Sequence, residues 1–205
     1  GLDDPIGMIS KSVTSFTIKD RTVNILASDE YKYYTLTEVL KKYPGGLDPK
    51  HIVWIANRVL RALGAVNQVG YAHGGLNMDH ILINPETHKL KIVDWKYSAL
   101  LGGKPSAYAI ESKEDYPPEF FTLKKLNANT DIYMLGLCML ELAGAKDGKC
   151  ELKDTTLPVE LFGIFKCCLL GAGHRPQYAG VVYDLIQNAI YNELRWKKEF
   201  VKFEM

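Results

Sequence analysis

His73, His80 and His88 recur at spacings of 7 and 8, and Asp94 follows the last of them after an apolar run. Imidazoles and carboxylates carry protons and ligate metals, so this stretch is where chemistry is first sought. The histidine spacing, with strand-like segments between, fits no zinc pattern, and loop histidines without metal are expected. Asp94 is a weak metal candidate, because one carboxylate without phosphate or a second ligand holds magnesium poorly. Cys138, Cys150, Cys167 and Cys168 form no C-x-x-C pair. The adjacent Cys167 and Cys168, in an apolar stretch, read as small buried thiols of a reducing compartment.

These residues depend on the elements that position them. Residues 8–28 read as a small appendage in which runs 12–18 and 22–26 flank Lys19-Asp20-Arg21 as a β-hairpin. Residues 29–34 are an extended connector. Thr35 caps a short helix over 35–43, with Glu38 completing a capping box, and Pro44-Gly45-Gly46 stops it. Asp48-Pro49 opens a long amphipathic helix ending near Val69-Gly70. In it Ile52, Ile55, Ala56, Val59, Leu60, Leu63 and Val66 recur at three- and four-residue steps. Strand-like runs 81–83 and 90–93 enclose a turn at 84–88, and helical periodicity returns over 131–143, 159–170 and 178–191. No internal repeat or low-complexity linker interrupts the chain. The predicted fold class is mainly α (α+β).

The run His73-Gly74-Gly75-Leu76-Asn77-Met78-Asp79-His80-Ile81-Leu82-Ile83 resembles the catalytic loop and following strand of the protein kinase family. That family's pattern is H-R-D-L-x-x-x-N, then two strands and D-F-G. Asp94-Trp95-Lys96 stands 21 residues after His73, a spacing that suits D-F-G. Tyr116-Pro117-Pro118-Glu119 resembles the A-P-E motif. Asn129-Thr130-Asp131-Ile132-Tyr133-Met134-Leu135-Gly136 is similar to the start of the buried central helix of the kinase C-lobe. His174-Arg175-Pro176 resembles the Arg-Pro before the last helices. Five matches in order span most of residues 30–190. The resemblance implies a kinase C-lobe-like helical domain over 31–205, with an N-lobe remnant (the hairpin) and hinge start over 1–30. It also implies a structural frame, in which Asp131 accepts hydrogen bonds from the catalytic-loop backbone and Glu119 forms a buried ion pair with Arg175.

The same resemblance implies that the chemistry has been removed. The family's catalytic Asp aligns with Gly75, which cannot act as a general base. The Asn that holds a second magnesium aligns with His80, a poor magnesium ligand. Asp94 is kept, but Trp95 and Lys96 replace Phe and Gly. No G-x-G-x-x-G precedes His73, and Lys19 reads as a hairpin-turn charge rather than a phosphate-pairing lysine. His73, Gly75 and His80 are therefore degenerate catalytic-loop positions, and no catalytic or cofactor-binding residue is assigned. The expected function is a pseudokinase-like binding or scaffold module without phosphotransferase activity or cofactor. The alternative is the C-lobe portion of a longer, active enzyme using ATP and magnesium. That enzyme would be a protein kinase, or an aminoglycoside phosphotransferase, whose I-D-W motif resembles Asp94-Trp95. A purely structural helical domain is the third reading.

Twenty-five Lys and Arg against 24 Asp and Glu leave a formal charge of +1 over 205 residues, which gives no electrostatic case for nucleic acid or an anionic membrane. No run of about 18 apolar residues predicts a membrane span, and residues 1–5 have no signal-peptide character. A cytoplasmic location and a protein partner are expected. Tyr31, Tyr33 and Tyr34 are either an exposed patch for that partner or hinge packing. Residues 196–203 read as an alternating or amphipathic tail docked on the domain.

Overall fold

The computed structural model describes residues 7–197, 199, 201, 202, 204 and 205. Strands β1 (Ser12–Ile18) and β2 (Arg21–Leu26) form an antiparallel hairpin. Its turn is only Lys19 and Asp20, at φ 46° and 62°, so Arg21 pairs with Ile18 as a strand residue instead of belonging to the turn. Two positive φ values match the turn to the right-handed twist of the strands. Every residue of both strands is exposed, so the hairpin stands off the core. The chain just before it is anchored. Met8 is buried in the main core, its carbonyl accepts from Ile92 N at 2.8 Å, and Ile9 bridges Ile92 in parallel.

Strand β3 (Tyr34–Thr35) leads into α1 (Leu36–Lys42). Glu38 N donates to Thr35 Oγ1 at 3.1 Å and Thr35 N donates to Glu38 Oε2 at 2.8 Å, a complete capping box. Asp48 caps α2 (Pro49–Gln68) by accepting from Lys50 N at 2.8 Å. One stripe of α2, from Ile52 to Val66, is buried. Strands β4 (Tyr71–Ala72), β5 (Ile81–Asn84), β6 (Lys89–Ile92) and β7 (Ala99–Leu100) are short. They make an antiparallel β3-β5-β6 sheet and a separate β4-β7 ladder. Two-residue strands carry no periodicity, which is why β4 and β7 are invisible to pattern reading.

Helices α3 (Pro118–Leu123), α4 (Ala128–Leu142), α5 (Val159–Cys168) and α6 (Ala179–Asn188) complete the fold. Nearly all of α4 is buried, and α2, α5 and α6 pack against it. The result is a mixed α and β fold with a helical core and small sheets at its edge.

Two local expectations change. Cys168 is buried but Cys167 is exposed, because successive helical residues point about 100° apart and cannot both face the core. The described residues of the tail beyond Trp196 form neither helix nor strand. They still lie on the domain: Tyr43 Oη donates to Glu204 O at 2.7 Å, and His88 Nε2 sits 2.6 Å from Val201 O. Lys198, Phe200 and Phe203 of that stretch, and residues 1–5, lie outside the described residues. Among the described residues, no helix is long and apolar enough to cross a membrane.

Candidate functional site

The loop after β4 hangs from the first turn of α4. Asp131 is fully buried there; Oδ2 accepts from His73 N at 2.7 Å and Oδ1 from Gly74 N at 2.8 Å. Burial pushes its carboxyl up to about 6, against the two N–H groups that favour the anion. His73 is equally buried. Its Nδ1 accepts from Gly75 N at 3.2 Å, which leaves Nε2 to donate to Val93 O at 2.9 Å. One acceptor and one donor define a neutral ring, and burial lowers its pKa to about 4. The edge-on Trp95 ring lies 4.5 Å away, with its own Nε1 donating to Ile92 O at 2.9 Å. His73 therefore ties the loop to the end of β6 and carries no exchangeable charge near neutral pH.

Gly74 and Gly75 are required by close approach. Gly74 sits at φ 75°, and a β-carbon on it would fall 2.6 Å from both Leu126 Cδ2 and Tyr97 O. A β-carbon on Gly75 would fall 2.4 Å from Tyr97 Cδ2 and 3.1 Å from Cγ. Those atoms are at the root of the ring, so the clash cannot be relieved by swinging a flexible tip. Tyr97 is buried, with Oη 3.4 Å from Glu111 Oε1. On the other side Tyr116 Oη donates to Gly74 O at 2.7 Å and accepts from Ala109 N at 3.0 Å. Asn77 Oδ1 accepts from Asp79 N and His80 N, which sets the turn that follows.

His80 spans the gap between this loop and Asp94. Its Nδ1 is 2.5 Å from Gly75 O and its Nε2 is 3.0 Å from Asp94 Oδ2. Gly75 O and Asp94 Oδ2 are both acceptors, so the imidazole bridges the loop to Asp94 through its two ring nitrogens. Lys96 Nζ also lies 3.0 Å from Asp94 Oδ2, with its ammonium 4.7 Å from the Tyr97 ring centre. Contacts with Tyr97 and Asp94 raise the Lys96 pKa above its ordinary value. The carboxylate that would face a metal ion is thus met by two of the chain's own basic side chains. Among the described residues, no three His, Cys, Asp or Glu side chains converge as a metal site.

Glu119 and Arg175 meet below the loop, with Arg175 Nη2 2.8 Å from Glu119 Oε1. The guanidinium is completely buried, but the Glu119 side chain keeps 25% of its exposure, being in the first turn of surface helix α3. Nη2 lacks hydrogen-bond geometry to any acceptor, so this is a charge contact rather than an aligned hydrogen bond. Arg175 also donates from Nε to Leu170 O at 2.8 Å and from Nη1 to Asn129 O at 3.3 Å, and lies 4.8 Å from the Tyr133 ring centre. It is a cross-brace between α4 and the segment after α5.

The three tyrosines before α1 are half-buried and turn inward to β6 and its neighbours. Tyr33 Oη donates to Asp29 Oδ2 at 2.9 Å, Lys91 Nζ is 3.2 Å from the same oxygen, and Lys89 Nζ lies 3.5 Å over the Tyr31 ring. The site residues that pattern reading passed over are Tyr97, Tyr116 and Asn77. Tyr97 had one available signal: it follows Asp94 by three residues, beside a glycine-rich loop that leaves room for a large ring.

No protein-family model matches the chain. The chain is 29% identical over 125 residues to the probable serine/threonine-protein kinase WNK10 of Arabidopsis thaliana, covering 60% of this chain and 23% of that protein. It is 24% identical over 132 residues to the probable serine/threonine-protein kinase fnkB of Dictyostelium discoideum, covering 62% and 24%. It is 28% identical over 131 residues to the serine/threonine-protein kinase VRK3 of Mus musculus, covering 55% and 29%. The chain spans about a quarter of the length of these curated relatives. These similarities, at 24–29% identity over 55–62% of the chain, support a relationship to the protein kinase-like superfamily.

Proposed function

We propose that the chain is a pseudokinase-like module, a C-lobe-type frame that binds a protein partner and transfers no phosphoryl group. The observation that carries this reading is the filling of the cleft from within. Tyr97 occupies the space a side chain at Gly75 would need, and His80 and Lys96 engage the carboxylate of Asp94. Phosphoryl transfer depends on positioning and on cations that neutralise phosphate oxygens. Magnesium needs oxygen ligands in near-octahedral geometry, and the residues around Asp94 do not fit that group. The interactions of Asp131, Glu119 and Arg175 support a frame kept for stability rather than for turnover.

The second reading, part of a longer active phosphotransferase, draws on relatives named as serine/threonine-protein kinases, of which the matched region covers only 23% and 29%. Thermal denaturation with ATP, with and without magnesium or manganese, separates the two. A ligand at 100 times its dissociation constant raises stability by about 2.7 kcal/mol. The pseudokinase reading expects no shift; a metal-dependent shift abolished by Asp94→Ala would favour the enzyme.

A further inference from the structure

The polar stripe of α2 faces a second cavity, of about 350 Å³, that shares no residue with the loop described above. Its other walls come from the end of α6, the π-helical segment Ala189–Glu193, His88 and the tail. Four cationic side chains line it, Lys50, Arg58, Arg61 and Lys197, against the single carboxylate of Glu199. Lys50 pairs with Glu199, which leaves the arginines and Lys197 to set the field. Among the described residues neither Arg58 nor Arg61 meets a carboxylate, although they stand three residues apart on one helix face. Burial lowers the pKa of His88, against the hydrogen bond to Val201 O, with smaller contributions from His51 and Arg58 in the same direction as burial.

Aromatic side chains make up part of the remaining walls, beside Val53, Asn57, Gln187, Ile190 and Val201. Trp54 stacks on His88 with ring centres 4.1 Å apart and planes 10° from parallel, which holds both rings in place. Trp196 and Tyr191 also line the cavity. Guanidinium groups recognise phosphate through paired N–H donors, and a cavity of this volume takes a small molecule or one large side chain.

We propose that this cavity binds a phosphate monoester carried on a planar ring, with Arg58 and Arg61 holding the phosphate and the aromatic walls taking the ring. A ligand with either part alone would meet only half of the lining. Phosphotyrosine in a peptide carries the phosphate on the ring itself, and a nucleoside monophosphate carries the same two groups with a sugar between them.

Phenyl phosphate is the probe, titrated into the full chain and followed by tryptophan fluorescence, since Trp54 and Trp196 both line the cavity. Saturable binding at least tenfold tighter than inorganic phosphate is expected, falling at least tenfold in Arg58→Ala/Arg61→Ala. Both arginines lie on the outward side of α2, so the variant should melt with the wild type. Arg58→Lys/Arg61→Lys keeps the charge without the planar fork and should lie between the two. Lys153→Ala, a remote exposed position, should bind as the wild type does. A phosphotyrosine peptide and adenosine monophosphate then distinguish the two carriers, and tight binding of either supports the assignment. Absence of saturable binding, equal affinity in the double-alanine variant, or exclusion of both carriers would overturn it.

Discussion

Tyr97 stands where a side chain on Gly75 would have to go, with Cδ2 2.4 Å from the β-carbon position. The missing side chain and the inserted ring are two halves of one packing solution. Gly75→Ala should therefore destabilise the fold by about 1–3 kcal/mol through overpacking. In a Tyr97→Ala background the same change should cost less, giving a coupling above about 0.5 kcal/mol in a double-mutant cycle by urea denaturation. Equal costs in both backgrounds would separate the two residues.

The same relationship bears on activity. Gly75→Asp with His80→Asn restores two of the family's residue types, yet the Asp would collide with Tyr97, and Lys96 would still cover Asp94. ATP turnover by the double variant should not exceed that of Asp94→Ala. Turnover clearly above that blank would refute the scaffold reading.

His73 and Asp131 titrate in opposite senses. The buried His73 holds its pKa at about 4 against an unfolded value of 6.5, so its stability contribution is complete above pH 6.5 and is lost as pH falls toward 4. At about 1.4 kcal/mol per unit, that loss is about 3 kcal/mol. Asp131 binds its proton more tightly when folded, up to about 6 against 3.8, so its contribution is lost as pH rises across that window. The two slopes nearly cancel between pH 4 and 6. His73→Gln removes one of them. The stability of the wild type minus that of the variant, from urea titrations at each pH, should therefore fall by about 3 kcal/mol from pH 6.5 to 4. A flat difference would mean that the imidazole is not held neutral.

Arg175→Ala should destabilise by about 2–4 kcal/mol, toward the lower part of the range for a broken buried pair because water reaches the Glu119 carboxylate left behind. The rest of the loss comes from the carbonyls of Leu170 and Asn129, which lose their donors. Lys153→Ala, on an exposed pair with Glu151, should change stability by less than about 1 kcal/mol. Thermal or urea denaturation of the two variants side by side decides this, and a near-zero effect of Arg175→Ala would show that the brace is not needed.

What the sequence determined by itself lies within a few residues along the chain. Thr35 and Glu38 cap α1 and Asp48 with Pro49 opens α2, because capping geometry needs only neighbours three residues apart. The apolar steps of α2 and the hairpin of β1 and β2 follow from periods of 3.6 and 2. The order of motifs from His73 to Arg175 was likewise legible. Only the tertiary structure decided what met across larger separations: Tyr97 against Gly75, Lys96 and His80 on one oxygen of Asp94, Met8 in the core beside β6, and the β4-β7 ladder. It also decided that Cys167 faces out while Cys168 faces in. The physical reason is the same in each case. Local dihedral preferences fix a helix or turn from its own residues, whereas a side chain's neighbours across the core depend on where every other element has already packed.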